Sequence, residues 1–228
     1  MATIVIAGAS RGIGFTLARL YAEAGDRVYA LCRNPAGADA LNALASFSEG
    51  RVTVGKVDFG DGASIDKFAE ELGDSPVDLL LNVGGIFIGE TGPEDRNFDG
   101  WRESFEVMCI GPFRMVQALL PNLERAGGKA LTVSSQLAAS PWPYGGMYSY
   151  SAAKAGLNRV MRALSIDVKE RGIAVCTVHP GYVQTDMGGP DADITALESA
   201  SGIRDVAARM TLDNSGTFWK WNGDVHPW

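Results

Sequence analysis

Short aliphatic and β-branched runs alternate along the whole chain with longer stretches in which apolar residues recur every three or four positions. A run of four to seven apolar residues reads as a strand buried on both faces, and a 3.6-residue period reads as a helix with one buried stripe. Seven strands are expected on this basis, at 3–7, 27–32, 52–57, 77–82, 130–134, 173–179 and 217–221, with helices between them at 13–24, 36–46, 64–72, 98–126, 147–171 and 196–210. Gly25 and Gly172 stand where two of these helices should end in a cap. Alternation of this kind builds a parallel sheet covered by helices on both faces. No low-complexity linker, repeat or change of composition interrupts it, so residues 1–228 are expected to form a single doubly wound α/β domain around a seven-stranded parallel sheet. Ligands of such sheets bind beyond the carboxyl ends of the strands, and functional residues are sought there.

Composition adds one anomaly and several exclusions. Glycine accounts for 28 of 228 residues, well above the roughly 7% of ordinary proteins and without a collagen-like period. Many backbone segments must therefore turn tightly or approach something closely. Hydrophobic residues make up 46% and charged residues 21% of the chain, and mean hydropathy is +0.01; a sizeable core can form, so disorder and small disulfide scaffolds are excluded. The balance of 20 Lys+Arg against 27 Asp+Glu gives −7, and no basic run occurs, which argues against nucleic acid or an anionic membrane as partner. Cys32, Cys109 and Cys176 are widely spaced in apolar stretches, as buried reduced thiols would be. MATIVIAGAS carries no basic leader and no apolar run reaches the roughly 18 residues of a membrane span, so a cytoplasmic location is expected.

The first strand runs directly into Gly8-Ala9-Ser10-Arg11-Gly12-Ile13-Gly14, and a helix follows. Missing Cβ atoms at such a turn let a pyrophosphate reach the amides of the helix N-terminus, where the dipole favours an anion. Gly8, Ser10, Arg11, Gly12, Ile13 and Gly14 are the candidate contacts. The second strand ends in Leu31-Cys32-Arg33-Asn34, with no carboxylate to take a ribose 2′-hydroxyl. Arg33, with Arg11 from the other side, instead suits a 2′-phosphate, so NADP(H) is favoured over NAD(H). After the third strand, Asp58 either accepts from an adenine amino group, with Phe59 flanking the ring, or caps the following turn. After the fourth, Asn82-Val83-Gly84-Gly85 leaves room for a ribose or nicotinamide, or simply turns.

Tyr150 and Lys154 are four residues apart at the start of a helical pattern, on one face and one turn apart. A phenol near pKa 10 is a weak acid–base catalyst at neutral pH, and an ammonium beside it is expected to lower that value. The fifth strand ends in Val133-Ser134-Ser135, which places the Ser135 hydroxyl where it can hydrogen-bond a carbonyl. Tyr148 is the rival phenol, but its i+4 neighbour is Ala152.

Taken together, Gly8-x-x-x-Gly12-x-Gly14, Asp58, Asn82-Val83-Gly84-Gly85, Ser135, Tyr150-x-x-x-Lys154 and His179-Pro180-Gly181 resemble the short-chain dehydrogenase/reductase family over nearly the whole chain. The stretch from His179 to Gly189 and the short segment after it resemble the carbonyl-reductase-like branch that includes C-signal-type proteins. The resemblance implies a Rossmann-type fold and hydride transfer between NADPH and a carbonyl, with Tyr150 protonating the oxygen and Ser135 orienting it. Lys154 would hold the nicotinamide ribose, and Tyr150, Pro180, Gly181, Val183 and Thr185 would border the cofactor. It also implies a homodimer or homotetramer packed through helices 98–126 and 147–171, although their apolar residues suit a core equally well. One position departs from the family: where an asparagine usually holds a water in a proton relay behind the lysine, this chain has Met108. A thioether cannot donate a hydrogen bond. Another group must then serve, or turnover is slow.

Gln136, Trp142 and Tyr144, with Tyr182 and Met187, are the candidate walls of a substrate pocket for an aldehyde, ketone or quinone of modest size. The same aromatics would also suit an oligomer interface or the core. The main expectation is an NADPH-dependent oxidoreductase interconverting carbonyl and alcohol. The alternative is a nucleotide-binding regulatory or signalling protein of the same fold with little turnover.

Overall fold

β1 (Thr3–Ala7) takes an interior place in the sheet because its residues from Ile4 onward are apolar and buried on both faces. A computed structural model describes residues 1–89 and 92–228. β1 pairs in parallel with β2 (Arg27–Cys32) on one side and β4 (Leu79–Asn82) on the other. β3 (Val52–Lys56) extends the first side, while β5 (Lys129–Val133), β6 (Ala174–His179) and β9 (Phe218–Lys220) extend the second. The seven-stranded order is β3-β2-β1-β4-β5-β6-β9, all parallel, as the alternation of elements predicts. Strand order reverses between β1 and β4, which opens a crevice at their carboxyl ends. Two two-residue strands that the pattern does not announce, β7 (Val183–Gln184) and β8 (Ile194–Thr195), pair with each other beyond β6.

Alternation along the strands divides the core in two. Ile4 and Ile6 face α1 (Gly12–Glu23), α2 (Asp39–Phe47) and α8 (Ala196–Arg209). Val5 and Ala7 face the layer built from α3 (Gly62–Leu72) and the helices between β4 and β6. The single helix expected at 98–126 is three: α4 (Phe98–Phe105), α5 (Gly111–Ala118) and α6 (Leu120–Ala126), with a π-helical turn at Glu106–Ile110. Prolines cause both breaks. Pro112 has no N–H to give the Met108 carbonyl, and Pro121 has none for Gln117. α7 (Tyr148–Asp167) is followed by a 3₁₀ turn at Lys169–Arg171, so the element expected at 147–171 ends in a tighter coil. Cys32, Cys109 and Cys176 are buried free thiols. Among the described residues, no helix is long and apolar enough to cross a membrane and no group of side chains could hold a metal ion.

Candidate active site

A cavity of about 440 Å³ occupies the crevice. Its floor is stitched together by backbone: the Ala7 carbonyl accepts from Val83 and Gly84, and the Leu31 carbonyl accepts from Gly8 and Ala9. Gly8 sits at φ +91°, and a Cβ there would collide with the Gly84 nitrogen. A Cβ on Gly14 would strike the Gly8 carbonyl oxygen. No side chain caps the start of α1, so its first-turn amides stay available at the cavity edge.

Gly8, Ser10, Arg11, Gly12, Ile13, Gly14, Arg33, Asp58, Phe59, Gly84, Gly85, Tyr150, Lys154, Pro180, Thr185 and Met187 all line this cavity, as strand-end placement predicts. Asn82 does not. It is buried in the sheet, where its amide donates to the Pro112 carbonyl and to Thr132. Gly181 and Val183 lie behind the wall, with Gly181 packed on Ile194 and Trp221. Asp58 both lines the cavity and accepts from the Gly60 nitrogen at 2.9 Å, so the turn-capping reading describes its present bond. Of the proposed substrate walls, only Met187 reaches the cavity; Trp142 and Tyr144 pack edge-on against each other, and Tyr182 is half exposed.

The two arginines differ in their engagement. Arg11 is bound to Asp186 at 2.7 Å, which joins the glycine loop to the segment after β7 across the cavity mouth. Both side chains are more than two-thirds exposed, so the pair contributes little stability. Arg33 makes no ion pair among the described residues. It stands at the junction with a second cavity of about 470 Å³ that Arg102 also lines.

Tyr150 and Lys154 form part of the far wall, and Ser135 does not line the cavity itself. The Ser135 hydroxyl caps the turn at Gln136–Ala138 by accepting from Leu137, and it lies beside the Tyr150 phenol. Burial pushes the Tyr150 phenol above its ordinary range, against the opposing pull of Ser135. This reverses the expected lowering by Lys154: the lysine Nζ donates instead to the Val133 carbonyl at 2.8 Å. Burial lowers Lys154 itself to about 8, partly opposed by Cys109. Met108, fully buried, brings its sulfur close to Gly85, as Lys154 does its ammonium.

Sequence reasoning missed two contributors. Phe87, a half-exposed aromatic, packs edge-on to Tyr150 with ring centroids 6.3 Å apart. His179, noted only as part of a motif, accepts the Gln136 N–H on Nδ1 at 3.2 Å and so anchors the turn that follows Ser135. Burial, then the neighbouring His226 and Lys220, lower His179 to about 4. An unfolded histidine titrates near 6.5, so between about pH 6.5 and 4 the unfolded chain binds the extra proton and stability falls with pH. The loss from pH 7.5 to 5 amounts to about 2 kcal/mol. Urea unfolding at the two pH values should show this difference, and His179→Asn should remove most of it; an unchanged pH dependence in the variant would exclude His179 as its source.

A Rossmann-type parallel sheet with a glycine-lined crevice at the point where strand order reverses is the architecture of a nicotinamide-dependent oxidoreductase. Residues 2–193 match the short chain dehydrogenase family, and the chain belongs to it. It is 33% identical over 163 residues to C-signal of Myxococcus xanthus, covering 71% of this chain and 98% of that protein. It is 29% identical to 1-hydroxy-2-glutathionyl-2-methyl-3-butene dehydrogenase of Rhodococcus sp. (strain AD45), with both chains fully covered. Among solved structures, NADPH-bound carbonyl reductase from chicken fatty liver superposes with a TM-score of 0.92 at 31% identity, over 100% of this chain and 99% of that one.

Proposed function

We propose that this chain is an NADP(H)-dependent reductase of aldehydes, ketones or quinones, with the reverse alcohol oxidation following the same path. The observation that carries this reading is that Tyr150 and Lys154 line the same cavity as the glycine loop, with Ser135 beside the phenol. A dinucleotide fits the residues present: uncapped α1 amides for the pyrophosphate, and Arg33 with Arg11 for a 2′-phosphate. When bound, the cofactor supplies the hydride. Tyr150, kept protonated by its burial, donates its proton to the carbonyl oxygen, and Ser135 holds that oxygen in place. Lys154 orients the nicotinamide ribose, and Phe87 and Met187 offer an apolar approach to Tyr150.

Met108 beside Lys154 favours a second reading, a nucleotide-binding regulatory protein with little turnover. One assay separates the two. Loss of NADPH absorbance with a panel of aldehydes, ketones and quinones is the expected result, with NADH markedly poorer. Arg33→Ala should raise the KM for NADPH about 10- to 100-fold, the worth of one charged hydrogen-bond contact, and leave that for NADH within about twofold. Tight NADPH binding with no turnover on the panel would decide for the regulatory reading; equal effects of Arg33→Ala on both cofactors would overturn the phosphate assignment.

A further inference from the structure

Asn82, Thr132 and Thr177 stand side by side in the register of β4, β5 and β6, so their side chains form one row across the sheet. The Asn82 amide donates to both the Thr132 hydroxyl and the Pro112 carbonyl of α5, so the row faces the layer of α5 and α7. Ser134, two residues after Thr132, continues the row into the cavity. Asn158 is buried on α7, one turn beyond Lys154 on the same face. All these side chains are at least 97% buried.

The layer is polar where a core is ordinarily apolar, and its hydrogen bonds do not close. Asn158 Nδ2, Asn158 Oδ1, Thr177 Oγ1, Asn82 Oδ1 and Ser134 Oγ have no hydrogen-bond partner among the described residues. They are five of the eight such buried side-chain atoms found there. Native interiors leave few polar groups unpaired, and a clustered set with both donors and acceptors is the setting in which internal water is held by two to four partners. Lys154 adjoins the layer: the Val133 carbonyl that it bonds lies between Thr132 and Ser134 on the same strand. An ammonium has three donors, and the sulfur of Met108, near the same position beside Gly85, is a poor acceptor.

We propose that the space between α7 and the ends of β4, β5 and β6 is an internal water site, held by Asn158, Thr177 and Asn82, which hydrates Lys154 from beneath. Asn158 is then a positioning residue that acts on the lysine through water. The water site itself stands independently of the proposed reductase activity; only its consequence for turnover rests on that reading.

The test combines high-resolution crystallography with NMR titration of the Lys154 side chain in the intact protein, and neither readout needs a substrate. Ordered water within hydrogen-bonding distance of both Asn158 and Thr177 is expected. Asn158→Leu, close in volume and apolar, should expel it and move the Lys154 midpoint about one pH unit lower, because the ammonium loses its solvation. Thr177→Val, nearly isosteric, should shift it the same way by less, and Thr177→Ser should restore it. If Asn158→Leu fails to fold, the Thr177 pair decides alone. The proposal is overturned if the parent shows a dry layer with Asn158 bonded to protein groups, or if the Lys154 midpoint is the same in the parent and in the folded apolar variants. Bound water with no turnover on the carbonyl panel would uphold the site and refute only the reductase reading.

Discussion

Tyr150→Phe is expected to lower kcat for carbonyl reduction by about 10²- to 10⁴-fold, the usual worth of a positioned proton donor, while NADPH affinity stays within about twofold. The substitution removes one hydroxyl from a wall whose other contacts are retained, including the edge-on packing of Phe87. Burial has already set the phenol in its protonated form, so the group is poised to give a proton in the reductive direction. Ser135 loses the neighbouring hydroxyl but keeps the N–H of Leu137. Steady-state kinetics together with fluorescence titration of NADPH checks this. Equal turnover in the two proteins would remove Tyr150 from the chemistry, and a parallel loss of NADPH binding would show that the side chain holds the cofactor instead.

The second large effect concerns the floor of the cavity. Gly8→Ala meets two penalties at once: a left-handed φ of +91° and a methyl group driven into the Gly84 backbone. Strain at such a φ costs about 1–3 kcal/mol and overpacking a similar amount. Each kcal/mol lowers Tm by roughly 2–4 °C in a chain of this size. A fall of roughly 5–15 °C is therefore expected, with NADPH binding lost because β1 and β4 must part where the crevice begins. Gly145→Ala is the control, since a Cβ there meets nothing within 4 Å. A Gly8→Ala protein with unchanged Tm and cofactor affinity would mean that the two strand ends are not clamped as tightly as this geometry requires.

Local spacing made much of this legible in the sequence. The glycine loop, the Tyr150–Lys154 pair and the strand ends are set within a few residues, and the sheet followed from alternation alone. The unread part depends on contacts between distant segments. Arg11 meets Asp186 across 175 positions, and Gln136 meets His179 across 43. The row of Asn82, Thr132 and Thr177 becomes visible only once three strands are in register. Phe87 gave no signal because a lone aromatic after a strand carries no period. The expected effect of Lys154 on Tyr150 failed for a physical reason: proximity along the helix is local, but the direction of a long flexible side chain is decided by the carbonyl it finds.

The π-helical turn at Glu106–Ile110 acts as a phase shifter between α4 and α5. One surplus residue rotates everything beyond it by about 100° relative to an unbroken helix. Ser104 can thus look toward α7, where it donates to Ser149, while Met115 and Val116 look into the sheet core. Met108 sits within the twist, turned fully inward behind Gly85. Two helix segments that share one sequence run therefore serve two different neighbours, and the residue at the change of phase shares with the Lys154 ammonium the surroundings of Gly85.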